Sequence, residues 1–169
     1  MVDYAFVFPG QGSQIKKEDV DFILESSLIR ENLEKSSDLV SIDLIKLIND
    51  GVSPADTRLS QLITYIISLS LFYTLRSRGV HPDVVAGHSL GEYSALVACG
   101  AIDFEEGLKI VKRRGEIMAE ASTEIEGGMT AVIGLDKDTV IDIIKNVSNV
   151  EAVNFNSPRQ TVISGRREF

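Results

Sequence analysis

The chain has 169 residues, 44% of them hydrophobic and 25% charged, with a net charge of −8. That length buries a core, the composition excludes disorder as the main state, and the charge excludes a global basic surface for nucleic acid. A single cysteine, Cys99, excludes an intrachain disulfide and fits a reducing cytoplasm, while His81 and His88, the only histidines, have no cysteine pair to build a metal site with.

The N-terminal MVDYAFVFPGQ lacks the basic start and long apolar core of a secretory leader. Residues 4–8 (YAFVF) read as a buried strand stopped by Pro9-Gly10. Residues 18–49 carry apolar positions at helical spacing and predict two helices. Ser53-Pro54 reads as a cap and first helical residue. Leu59, Leu62, Ile63, Ile66, Ile67, Leu71 and Leu75 then mark a long buried helix. The uncharged run between Arg58 and Arg76 carries too many Ser and Thr residues to favour a membrane span.

Residues 84–86 predict a short strand, and 91–99 a buried helix that takes Cys99 into the core as a structural thiol. Asp103 and Glu106 have capping-box spacing, opening a helix to about residue 121. Composition changes at Glu126-Gly127-Gly128, which separates a first region, 1–125, from a second, 126–169. The second predicts strand 130–134, helix 137–146, strand 151–156, a turn at Ser157-Pro158 and strand 161–165. That β-α-β-β order is the beginning of a ferredoxin-like unit, so the expectation is an incomplete subdomain and a chain that is part of a longer protein.

Between the predicted strand 84–86 and the helix after it stands Gly87-His88-Ser89-Leu90-Gly91, the strand–turn–helix setting of a nucleophile elbow. The glycines leave room where side chains would crowd the neighbouring strand and helix. Amides at the helix start can stabilise a developing oxyanion. A plain turn is the competing reading, disfavoured by the setting. Pro9-Gly10-Gln11-Gly12-Ser13-Gln14 follows the first strand and lacks the Gly-Lys-Ser/Thr of a phosphate loop. Its glycines free the backbone for close approach to a ligand. An oxyanion hole usually draws one donor from a second loop, which makes Gln11 N–H the candidate partner of Leu90 N–H.

FVFPGQGSQ and AGHSLGEYSALV together, with RLSQL, VKRRGEIM, GGMTAVIG and NFNSPRQTVISG in the same order, resemble the malonyl-CoA:acyl carrier protein transacylases. The resemblance implies an α/β fold: an α/β-hydrolase-like core with parallel strands and an inserted ferredoxin-like subdomain. It implies that Ser89 carries the acyl group as an ester, that Arg114 pairs with the malonyl carboxylate, and that Gln61, Asn154 and Asn156 line the pocket. It further implies malonyl-CoA as substrate with no permanently bound cofactor or metal, and acyl carrier protein as partner. The setting would be cytoplasmic fatty-acid biosynthesis by a monomer, without nucleic acid or membrane.

A guanidinium suits Arg114's role on physical grounds, because it grips a carboxylate through two parallel hydrogen bonds. Lys109, Lys112 and Arg113 beside it read equally as a solvated face or as steering charge for an anionic coenzyme or carrier. Without the resemblance, Gln61 reads as a polar residue at a helix start. The chain departs from the family pattern at Ile15-Lys16-Lys17, where Gly-Met-Gly is usual, and at Leu62, where proline is usual.

Serine needs a base within reach. His88 adjoins Ser89 and its side chain should point behind the elbow; His81 precedes the strand at its far end. In the family the base is a histidine after the subdomain, beyond residue 169. A serine esterase or thioesterase, and a catalytically incomplete fragment, are the alternatives to an acyltransferase.

Overall fold

The computed structural model describes residues 3–11, 17–51, 56–124 and 126–166. Two units divide the chain between Ala119 and Glu120. In the first, the apolar strand β1 (Ala5–Phe8) pairs in parallel with β2 (Val84–Gly87), in the register Ala5↔Val84 to Phe8↔Gly87. Parallel pairing brings both carboxyl ends together, so the loops after Phe8 and after Gly87 emerge side by side, where open α/β sheets place their sites. The opposite ends are tied by Asp83, whose carboxylate accepts from Asp3 N–H at 2.8 Å and Tyr4 N–H at 2.9 Å.

Residues 20–50 form three α-helices rather than two: α1 (Val20–Glu25), α2 (Ser27–Val40) and α3 (Leu44–Asp50). Ser26 takes extended backbone and breaks the first stretch, and Ser41 in the left-handed region (φ 57°) ends the second. The long helix α4 (Thr57–Ser77) is capped by Asp56, whose Oδ1 accepts from Arg58 N–H and Leu59 N–H. The expected cap at Ser53-Pro54 and the loop departure at residues 15–16 lie outside the described residues. Leu62 sits buried inside α4, and proline is not needed to open the helix at Thr57.

The buried face of α4 carries Leu62, Ile63, Tyr65, Ile66, Leu69 and Phe72. Leu71 and Leu75, expected in the core, are exposed because they lie on its outer edge. Phe72 meets Phe6 and Phe8 of β1 edge-on, at ring-centroid distances of 6.1 and 5.9 Å, which locks α4 to the sheet. The chain then forms α5 (Gly91–Ala98) and α6 (Phe104–Glu124). The capping box is made in both directions: Glu106 N–H donates to Asp103 Oδ1 at 2.8 Å, and Asp103 N–H to Glu106 Oε2 at 3.1 Å. Cys99 is exposed, not buried: α5 stops at Ala98, and Cys99 caps it with Sγ turned to the carbonyl of Leu96.

In the second unit, β3 (Gly127–Ile133), α7 (Lys137–Ile144), β4 (Val150–Ser157) and β5 (Gln160–Arg166) give an antiparallel sheet of order β3-β5-β4. A strand inserted between the two that flank a helix is the arrangement of a split β-α-β unit, as expected. β3 begins three residues earlier than its apolar pattern suggests, because Gly127 and Gly128 pair with Arg166 and Gly165.

Candidate active site

β2 runs straight into the elbow. Ser89 has φ 53°, the left-handed region that non-glycine residues seldom take, at a cost of order 1–3 kcal/mol. The turn survives because of what flanks it. A Cβ on Gly87 would strike the Gly91 backbone, and one on Gly91 would strike the Phe8 carbonyl. His88 N–H donates to Phe8 O at 3.1 Å and closes the elbow onto the end of β1. Ser89 is left exposed, and Leu90, the first amide after it, opens α5 with a fully buried side chain.

The loop after β1 leans on the elbow. A Cβ on Gly10 would sit 2.8 Å from His88 Nδ1 and 2.9 Å from His88 O. The close approach that Gly10 permits is therefore to His88, while Gly12 lies outside the described residues. The same contact places the His88 ring against Gly10. His81 lies before β2, at the end away from Ser89, where it lines a cavity of about 360 Å³ with Phe72, Arg76 and Cys99.

Arg114 reaches Ser89 from α6. Its Nη2 donates to Ser89 Oγ at 2.9 Å and its Nη1 to Gln61 Oε1 at 2.6 Å. The guanidinium lies 5.9 Å from the centroid of the Tyr93 ring on α5, a cation–π contact. Gly115 makes the reach possible, since its missing side chain lets α6 approach α4 to where a Cβ would stand 3.0 Å from Arg58 Cα. Among the described residues no carboxylate lies within ion-pair distance of Arg114. Of the neighbouring cations, Lys112 is drawn to Val40 O and Arg113 to Glu116.

Gln61 is fully buried, unlike a solvated residue at a helix start. Its Nε2 donates to Gln11 Oε1 at 3.4 Å and to Met118 Sδ at 3.3 Å. Gln11 Nε2 in turn donates to Thr57 Oγ1 at 3.1 Å. Thr57, Tyr93 and Met118 were not singled out from sequence. The available signal was the buried face of α4: a glutamine among Leu and Ile must find polar partners. Ser89, Leu90, Gln11, Gln61 and Arg114 thus meet in the first unit. Asn154 and Asn156 lie on β4 of the second, where Asn154 is half-buried and Asn156 Nδ2 donates to Gln160 Oε1 at 3.0 Å.

An elbow serine beside a guanidinium that has no carboxylate partner among the described residues, at the carboxyl ends of parallel strands, suits acyl chemistry on an anionic substrate. Residues 5–169 match the acyl transferase domain family, and the chain belongs to it. The resemblance drawn from the motifs holds. Over 176 aligned residues the chain is 39% identical to the malonyl CoA-acyl carrier protein transacylase of Haemophilus influenzae, covering 99% of this chain and 56% of that protein. The malonyl CoA-acyl carrier protein transacylase structure from Coxiella burnetii superposes with a TM-score of 0.89 at 39% identity, over 97% of this chain and 54% of that one. A malonyl-transacylase solved in complex with a holo type II polyketide synthase acyl-carrier protein gives a TM-score of 0.89 at 38% identity, over 97% and 55%. The chain spans about half the length of the relatives it matches.

Proposed function

We propose that the chain carries the acyl-binding half of an enzyme that moves a malonyl group from coenzyme A to the phosphopantetheine thiol of an acyl carrier protein, in cytoplasmic fatty-acid-type synthesis. The observation that carries this reading is Arg114: a half-buried guanidinium, without a carboxylate partner among the described residues, bonded to the nucleophile itself. A substrate with a free carboxylate supplies the missing anion, and the two-pronged grip on it favours malonyl over acetyl.

In the forward half-reaction the malonyl carboxylate takes the guanidinium, and the thioester carbonyl comes to Ser89. Ser89 Oγ attacks the carbonyl carbon and gives its proton to a base. The carbonyl electrons move onto oxygen, where the amides of Gln11 and Leu90 receive them. Collapse breaks the C–S bond, and the coenzyme thiolate leaves with the proton the base holds. The acyl ester on Ser89 then passes to the carrier thiol by the same steps in reverse. The base is the histidine that the resemblance implies beyond residue 169, a reading supported by His88 standing against Gly10 and His81 at the far end of β2. Asn154 and Asn156 keep their pocket role on the resemblance alone.

Intact-mass measurement of the protein expressed from its complete gene, after exposure to malonyl-CoA, tests the reading. A malonyl adduct mapping to Ser89 and absent from Ser89→Ala is expected. An adduct that persists in Ser89→Ala, or none at all in the wild type, contradicts it.

A further inference from the structure

The bonds around Arg114 run in one direction, and that direction has an end. A guanidinium has donors only. Gln61 must therefore turn its oxygen to Arg114, which leaves its amide nitrogen facing Gln11 and Met118. Gln11 must then present its own oxygen to Gln61, so its nitrogen points away and needs an acceptor. Thr57 Oγ1, at 3.1 Å, is that acceptor. Reversing either glutamine would set donor against donor, next to a side chain with no exposure at all.

We propose that Thr57 is a positioning residue for the acyl site: its hydroxyl anchors a one-way hydrogen-bond relay through Gln11 and Gln61 that aims the Arg114 guanidinium at the substrate carboxylate. The relay joins the loop after β1, the first turn of α4 and the middle of α6, segments about fifty residues apart in sequence. Thr57 is well placed for this because it opens α4, where the cap is already provided by Asp56 and the Thr57 side chain is free for other work. The inference rests on the malonyl-transfer reading above, since it assigns the relay's purpose to carboxylate binding.

The test compares Thr57→Val, which keeps the shape and removes the acceptor, with Thr57→Ser, which keeps the acceptor. Both are made in the protein expressed from its complete gene, and Ser89 acylation is followed with malonyl-CoA and with acetyl-CoA. Thr57→Val should raise KM for malonyl-CoA about 2–10-fold, the span that loss of one neutral hydrogen bond gives. Acetyl-CoA kinetics should stay at the wild-type level, and Thr57→Ser should restore the malonyl KM. An unchanged malonyl KM in Thr57→Val overturns the relay. So does an equal loss with both donors, accompanied by a lower Tm and not rescued by serine, because that marks a merely structural residue. A wild type that does not prefer malonyl-CoA overturns the proposed function and the relay with it. A malonyl-selective wild type whose Thr57→Val variant behaves identically overturns the relay alone.

Discussion

Ser89 and Arg114 touch each other, yet the chain holds them by opposite means. Ser89 is fixed by backbone: two glycines that admit no side chain, a left-handed φ, and an amide bonded to the end of β1. Arg114 is fixed by side chains: Gln61, Tyr93, and through Gln61 the pair Gln11 and Thr57. A nucleophile must stand where the scissile carbonyl arrives and gains from rigidity. A guanidinium that exchanges a serine hydroxyl for a carboxylate gains from adjustable neutral partners, which orient it without neutralising its charge. The contrast predicts that lesions at the elbow destroy the fold and the site together, whereas lesions in the relay change which acyl group is chosen.

The largest effect should come from Gly91→Ala. Its Cβ would collide with backbone rather than with a flexible side chain, so a loss of more than about 3 kcal/mol in chemical denaturation, or failure to fold, is expected. A variant that folds with wild-type stability would show that the elbow is less tightly packed than its geometry implies. Gln61→Leu should act more gently on the fold and more sharply on selectivity. It leaves Arg114 Nη1 and Gln11 Oε1 without their partner, and kcat/KM for malonyl-CoA should fall about tenfold, as for a lost hydrogen bond to a charged group. Acetyl-CoA should be little affected; equal loss with both donors would break the distinction between elbow and relay.

A smaller effect probes the far end of the strand pair that carries the elbow. The N–H groups of Tyr4 and Asp3 hold the Asp83 carboxyl below its ordinary value of 3.8. A folded value lower than the unfolded one means stability that is present above about pH 4 and lost as pH falls through the folded value. Wild type and Asp83→Asn should therefore differ in Tm at pH 6, and the difference should shrink as pH falls below the ordinary carboxylate range and vanish once the folded carboxylate is protonated. A difference that persists unchanged at low pH would show that the tether does not depend on the charge.

The elbow and the capping box at Asp103 and Glu106 were legible because each is local: the spacing of a few residues carries the whole geometry. The strands of the β-α-β-β unit were legible for the same reason, through apolar runs bounded by turn residues, whereas the parallel pairing of β1 with β2, some 80 residues apart, came from the resemblance. The relay was not, because it joins Gln11, Gln61 and Arg114 across gaps of 50 and 53 residues, and only the approach of both the loop after β1 and α6 to α4 brings them together. Arg114 itself came from resemblance; its pattern of neighbouring cations reads just as well as a solvated face. Cys99 was misread from its apolar neighbours, since one residue past the end of α5 the chain has already turned outward. The apolar pattern starts β3 at residue 130, but the strand already includes Gly127 and Gly128, because the backbone of β5 pairs with any residue that keeps extended geometry.

The proposed malonyl selectivity rests on Arg114 as the group that selects the acyl chain. Competition between malonyl-CoA and acetyl-CoA for Ser89, read by mass spectrometry in wild type and in Arg114→Ala, measures it. The wild type should carry malonyl, and the variant should lose malonyl labelling about 10–100-fold, as for a charged hydrogen-bonded pair, and should carry acetyl instead. An Arg114→Ala protein that still takes malonyl in preference to acetyl would contradict a selecting role for Arg114.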